Sequence, residues 1–123
     1  MTTSEREFTI AQARALMPEV RAKAAEIVRL RADLAELTLD LHTAGSSAMG
    51  GRPEAKAYEA RLQEHVTWFT DQGIEVKGLA PFLVDFPARR GGRSVRLCWI
   101  EGEPELAWYH LTELGFAGRR PLD

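Results

Sequence analysis

The sequence predicts an α+β domain: a long, coiled-coil-like antiparallel helical hairpin packed on a small antiparallel sheet of three or four strands. Three observations carry that reading. Apolar residues recur at alternating three- and four-residue spacing as far as Leu41, the period switches to two beyond Gly73, and turn signals separate the alternating runs. The 123 residues are read as one domain, with the helical hairpin over 8–72 and the sheet and C-terminal tail over 73–123.

The first helix opens at Thr9, a candidate N-cap with Gln12 at capping-box spacing, and Phe8 stands where it could staple against Ala13. Ala13, Leu16, Val20, Lys23, Ile27, Leu30, Leu34, Leu37 and Leu41 form its seam, which only Lys23 interrupts. Pro18 removes a backbone donor and predicts a kink. The helix ends near His42, and the small, glycine-rich stretch Thr43 to Gly51 predicts a flexible loop. Pro53 opens the second helix, with Ala55, Tyr58, Leu62, His65 and Phe69 as its seam and Gly73 as its left-handed stop. The first helix spans about 33 residues, roughly 50 Å, and the second about 20, roughly 30 Å. That mismatch predicts that Leu34, Leu37 and Leu41 lack cover. A homodimer through the first helix would supply it, and the bland alternative is that the C-terminal half lies there.

Beyond Gly73 the strands are read at Ile74–Lys77, Leu83–Phe86, Ser94–Ile100 and Glu105–Leu111. Gly91-Gly92 is a two-residue hairpin signal, and Glu101 to Pro104 reads as a four-residue turn. These turns place Phe86 opposite Leu97, Asp85 opposite Cys98, Leu97 opposite Trp108 and Val95 opposite His110. One face then holds Val84, Phe86, Val95, Leu97, Trp99, Leu106, Trp108 and His110, and the other holds Asp85, Arg96, Cys98, Ala107 and Tyr109. Pro87 fits only if its strand is an edge. The tail from Gly115 to Leu122 is expected to pack through Phe116.

Composition narrows the function. With 16 basic and 18 acidic residues the net charge is −2, so no global field draws in nucleic acid or an anionic membrane. One cysteine excludes an internal disulfide and a CxxC knuckle. The polar start over Met1 to Glu7 shows no export signal, no run is long enough for a membrane span, and the lone thiol fits a reducing cytoplasm.

Three places could carry chemistry. Asp85, Cys98, Glu103 and His110 are possible metal ligands, and Glu101 lies nearby, but the register sends Cys98 and His110 to opposite faces. His110 reads first as a structural histidine, with Glu113, Glu103 or His65 as its partner. Arg89, Arg90, Arg93 and Arg96 surround the Gly-Gly tip, with Arg119 and Arg120 in the tail. A basic hairpin of this kind can grip phosphate, and its bland reading is a solvated turn that protects an edge. On the polar face, Asp85 could pair diagonally with Arg96 beside Cys98 and Tyr109, as a pocket lining or as an internal ion pair.

The segments Leu83-Val-Asp-Phe-Pro87, Gly92-Arg93, Leu97-Cys-Trp99, Gly102-Glu103, Trp108-Tyr-His110 and Gly115-Phe-Ala-Gly-Arg119 resemble the bacterial family catalogued as domain of unknown function 2203. The opening Phe8-Thr9 with Ala13, Leu16 and Pro18-Glu19 is similar to that family's first helix. Phe82 stands where the family has glycine. The resemblance implies that Asp85, Cys98, Trp99, Glu103, His110 and Arg119 form a recurring constellation, and it assigns them no roles.

The reading that follows is a cytoplasmic, non-enzymatic, homodimeric binding or regulatory protein. Its ligand-binding candidates are Asp85, Arg96, Glu103, His110 and Arg119. The partner would be a protein or small molecule, with no nucleic acid and no membrane. No cofactor is expected, and a divalent metal is the one exception the residues allow. The alternatives are a metal-dependent or acid–base enzyme using Glu103 and His110 with Asp85 or Cys98, and a nucleic-acid accessory protein holding phosphate through Arg89, Arg90 and Arg93.

Overall fold

A computed structural model describes residues 6–123. The polar start, on which the export-signal expectation falls, lies up to residue 5 outside the described residues. The elements in chain order are α1 (Ile10–Ala44), α2 (Arg52–Asp71), β1 (Glu75–Leu79), β2 (Phe82–Arg90), β3 (Arg93–Ile100), β4 (Trp108–Leu111), a single 3₁₀ turn (Phe116–Gly118) and β5 (Arg120–Pro121). The class is the expected α+β. The sheet has five antiparallel strands in sequence order rather than three or four, because the tail returns to add β5 against β4.

The start of α1 is as its sequence specifies. Thr9 Oγ1 accepts from the Gln12 amide at 3.0 Å, and Gln12 Oε1 accepts from the Thr9 amide at 2.9 Å. This reciprocal cap is worth about 1 kcal/mol. Phe8 is buried edge-on against Phe86, with ring centroids 5.3 Å apart. The helix continues through Pro18 without a break. The connection to α2 is closed by hydrogen bonds: Ser47 Oγ donates to Asp40 at 2.6 Å and accepts from the Met49 amide at 3.1 Å. Gly73 follows α2 with φ +83°, the left-handed stop its position predicts.

A short connection aligns two helices at their joined ends, so the surplus length of α1 falls at its far, N-terminal end. Leu37 is fully buried, and Leu34 and Leu41 are half-buried. The overhang is the N-terminal half instead, where Ala13, Met17, Val20 and Ala24 enter the core beneath the sheet. This corrects the expectation of an uncovered seam and removes the ground on which a homodimer was inferred. Lys23 interrupts the heptad for a local reason: its ammonium lies 5.6 Å from the centre of the Trp68 ring on α2.

Between β2 and β3 the register is the expected one, with Arg90 opposite Arg93, Phe86 opposite Leu97 and Asp85 opposite Cys98. Gly91 and Gly92 take φ of +59° and +81°, which only glycine accepts without strain at both positions. The strand of Pro87 is not the expected edge, since β2 lies between β1 and β3, but the β1 pairing reaches only to Asp85 and Pro87 sits beyond it. The Pro87 carbonyl accepts from the Phe8 amide at 2.7 Å. A strand residue's N–H and C=O point the same way, so the donor that proline lacks falls on the side with no strand neighbour.

The sheet is clamped to α1 by Arg31. Its guanidinium donates to both Glu101 oxygens, at 2.6 and 3.2 Å, and to the Leu79 carbonyl. Glu101 Oε1 also accepts from the Phe82 amide at 2.6 Å. The Arg31 hydrogen bonds lower the Glu101 pKa from 4.5, and the Phe82 amide adds to the effect. A carboxyl depressed in the folded state stabilises the fold above its unfolded pKa, and that contribution is lost as pH falls. Wild-type protein should therefore lose stability as pH drops below 4.5. Glu101→Gln should be less stable at neutral pH and show a shallower acid slope. Urea unfolding at stepped pH checks this, and parallel slopes for the two proteins would refute it.

Candidate functional site

The outer face of the sheet is set by the turn between β3 and β4. It is not the four residues Glu101–Pro104 but seven, Glu101 to Ala107, because β4 begins at Trp108. The first half of the turn is closed on the end of β3. The Glu103 amide donates to the Ile100 carbonyl at 3.1 Å, and the Ile100 amide donates to Glu103 Oε1 at 3.0 Å. The second half drops Leu106 into the core. Cys98 then lies opposite Trp108, and Arg96 opposite His110.

That is a one-residue shift from the expected register, and it exchanges the two faces of β4. Tyr109 and Leu111 pack on the core side, where Trp108 and His110 were expected. Trp108 and His110 join Asp85, Arg96 and Cys98 on the outer side, so Cys98 and His110 share a face and no bulge is needed. Glu75, Asp85, Cys98, Trp108 and Pro121 form one row across all five strands, with Pro87, Arg96 and His110 in the next.

Asp85, Cys98 and His110 are all buried, and their candidate ligand atoms lie within 4.8 Å of one another. His110 Nδ1 is 2.8 Å from the Leu111 carbonyl, and a carbonyl only accepts, so Nδ1 carries hydrogen. The other nitrogen, Nε2, faces Asp85 Oδ2 at 3.1 Å. The partner of His110 is therefore Asp85, not Glu103, Glu113 or His65. Asp85 Oδ1 is buried and has no hydrogen-bond partner among the described residues. Burial, followed by the Asp85 charge, pushes the Cys98 thiol up to about 12. On its own it is a protonated, inert thiol.

Arg96 does not pair with Asp85. It grips Glu75 through Nε at 3.0 Å and a second nitrogen at 3.2 Å, and donates to Thr112 Oγ1 at 3.2 Å. Glu103, expected among the ligands, lies outside the cluster, taken by the Ile100 amide and by Arg119 at 2.7 Å. Arg119 also donates to the Cys98 carbonyl at 3.2 Å, and its guanidinium lies against the Trp108 and Phe116 rings. Two of the three phosphate candidates have acidic partners within the chain: Arg89 meets Glu7 at 3.0 Å and Arg90 meets Asp123 at 3.2 Å. Arg93 is exposed at the hairpin tip, away from this cluster.

A cavity of about 260 Å³ opens over the cluster, lined by Lys77, Leu83, Asp85, Arg96, His110, Thr112, Gly115 and Phe116. Lys77, Leu83, Glu75 and Thr112 were not singled out from the sequence. The alternation of Ile74-Glu-Val-Lys77 is the signal that could have placed Glu75 on this face.

The family described as Uncharacterized conserved protein (DUF2203) matches residues 6–122. The chain belongs to this family. In this DUF2203 protein the constellation implied by resemblance divides into two groups, Asp85–Cys98–His110 and Glu103–Arg119, joined where Arg119 meets the Cys98 carbonyl. No curated protein and no solved structure matches the chain. Among the described residues, no helix is long and apolar enough to cross a membrane.

Burial makes the thiol easy to test. With metal chelated at pH 8, Cys98 should resist alkylation by iodoacetamide in the native protein and react within minutes once the chain is unfolded in urea. Mass spectrometry of a timed quench reads the ratio, and equal rates in the two states would contradict the buried, protonated thiol.

Proposed function

We propose that this DUF2203 protein is a non-catalytic binding protein that holds a small anionic molecule in the cavity over Asp85 and His110. The observation that carries the reading is a pair of cations sharing one acid at the cavity wall. Lys77 Nζ lies 3.3 Å from Glu75 Oε1, while Arg96 holds the same carboxylate at two points. The Asp85 carboxylate is turned to His110, with Oδ2 3.1 Å from Nε2. Lys77 therefore brings to the wall a positive charge whose acidic neighbour is already held by Arg96.

Lys77 is the mobile member. Its side chain is 50% exposed, and its ammonium can turn to a ligand while Arg96 retains Glu75. Leu83 and Phe116 supply apolar cover for the rest of the molecule. Nothing along the wall is an activated nucleophile. The Thr112 hydroxyl is engaged by Ser94 at 2.8 Å and by Arg96, and Cys98 is protonated. The acid–base alternative needs Glu103 near His110, and Glu103 is held elsewhere.

Saturation-transfer NMR with benzoate and pyruvate as probes, and calorimetric titration with inorganic phosphate, test the cavity. The wild type should bind at least one of them. Lys77→Glu should weaken that binding at least ten-fold while leaving the thermal midpoint within a degree or two, since the side chain is half exposed. Absence of binding to every probe, or equal binding by Lys77→Glu, would sink the proposal.

A further inference from the structure

We infer that Asp85, Cys98 and His110 form a binding site for a divalent metal ion of the zinc class. The site lies in the floor of the cavity, and the inference does not depend on an anionic ligand above it.

Geometry comes first. A zinc-class ion with bonds of about 2.0–2.3 Å holds its ligand atoms roughly 3.3–3.8 Å apart in a tetrahedral shell. The Asp85 Oδ2 to His110 Nε2 separation is 3.1 Å. All three candidate ligand atoms lie within 4.8 Å of one another, so sub-ångström side-chain shifts close the shell. The three ligands come from the middle of β2, β3 and β4, which are hydrogen-bonded strands rather than loops.

The histidine is oriented as a ligand. Its Nδ1–H is committed to the Leu111 carbonyl at 2.8 Å, which fixes the ring and leaves Nε2 as the atom offered to the cluster. A backbone carbonyl on the far nitrogen is the usual support for a metal-bound imidazole. The second, independent observation is the carboxylate. Asp85 is 4% exposed, and its Oδ1 has no hydrogen-bond partner among the described residues. A buried acceptor left unmet is costly, and a cation among the three groups meets it.

The donor set selects the ion. One carboxylate, one imidazole and one thiolate are a borderline-soft set that suits zinc and its cobalt substitute, not magnesium or calcium. On binding, the Cys98 Sγ–H bond breaks, sulfur keeps the electron pair and bonds the ion, and the proton goes to solvent. Any proton between His110 and Asp85 leaves the same way. The two anionic ligands neutralise the ion's two charges, so the buried assembly is neutral overall. Neighbouring cations do not oppose it, because Arg96 is answered by Glu75 and Arg119 by Glu103. Asp85 and His110 both line the cavity, so a fourth ligand would come from that side.

The test uses the full, untagged chain, reduced and freed of metal by chelator. Titration with Co²⁺ should give one equivalent bound and a near-ultraviolet thiolate-to-cobalt charge-transfer band. Cys98 is the only cysteine in the chain, so that band can arise from no other residue. Zn²⁺ should displace the cobalt at one equivalent. Cys98→Ser should abolish the band, and Asp85→Asn and His110→Gln should each weaken Zn²⁺ binding at least ten-fold. His42→Ala and His65→Ala should leave it unchanged. Wild-type protein that takes up no Co²⁺, or takes it up without the thiolate band, overturns the inference without reference to any variant's folding. Zn²⁺ binding that survives Cys98→Ser and Asp85→Asn unweakened also overturns it. Either result would leave a plain Asp85–His110 contact beside an inert thiol.

Discussion

The pairing of Arg96 with His110 across β3 and β4 determines what the outer face of this sheet is. Side chains alternate along a strand, so a shift of one residue moves every group on β4 to the other side. In the observed register the imidazole lies with Asp85 and Cys98, and Trp108 lies beside Cys98. In the neighbouring register the imidazole would lie among Phe86, Leu97 and Trp99, with no acid near it. The seven-residue turn is therefore the element on which the site depends. It is held by Leu106 in the core, by Glu103 on the Ile100 amide and by the Trp99 indole on the Glu103 carbonyl at 3.1 Å.

Three paired acids then cover the face: Glu75 with Arg96, Asp85 with the His110 imidazole, and Glu103 with Arg119. Each is largely withdrawn from water, where desolvation cancels much of the Coulombic gain. Apolar residues of similar volume would hold such a face together about as well, so the pairs are weak evidence for stability. What they do is fix positions. Arg119 ties the tail to the strand that carries Cys98, and the tail brings Phe116 to the cavity wall. Glu75 holds Arg96 at two points, and Asp85 and His110 face each other from β2 and β4.

Much of this architecture was legible in the residues, for reasons that differ by element. The β2–β3 register followed from Gly91-Gly92, because a two-residue hairpin requires positive φ at both positions and glycine declares it locally. The α1 cap followed from Thr9 and Gln12, which contact each other within one turn. The β3–β4 register did not follow. Its turn is closed by contacts with the core and with the end of β3, so Glu101-Gly-Glu-Pro104 looks like a shorter turn than it is. Asp85, Cys98 and His110, which the fold brings together, were all named from the sequence, while their partners were not. Asp85 was assigned to Arg96, which Glu75 of β1 holds instead, and Glu103 to the metal set, although the Ile100 amide and Arg119 of the tail hold it. The extent of cover over Leu34 and Leu37 was misjudged for a geometric reason: the overhang of unequal helices falls at the end away from their connection.

The buried thiol is the group that makes the face hardest to explain as structure alone. Cys98 occupies the centre of the middle strand, beside a carboxylate that raises its pKa and offers it no charge partner. As a protonated thiol it packs there as an aliphatic residue of the same size would. Arg119 lies close enough to lower the thiol's pKa, but its effect ranks below burial and Asp85. A proton between Asp85 and His110 satisfies one carboxylate oxygen and does nothing for the other. A divalent ion resolves both difficulties at once. It turns the thiol into a thiolate whose charge is answered, and it gives Asp85 Oδ1 the partner it lacks among the described residues.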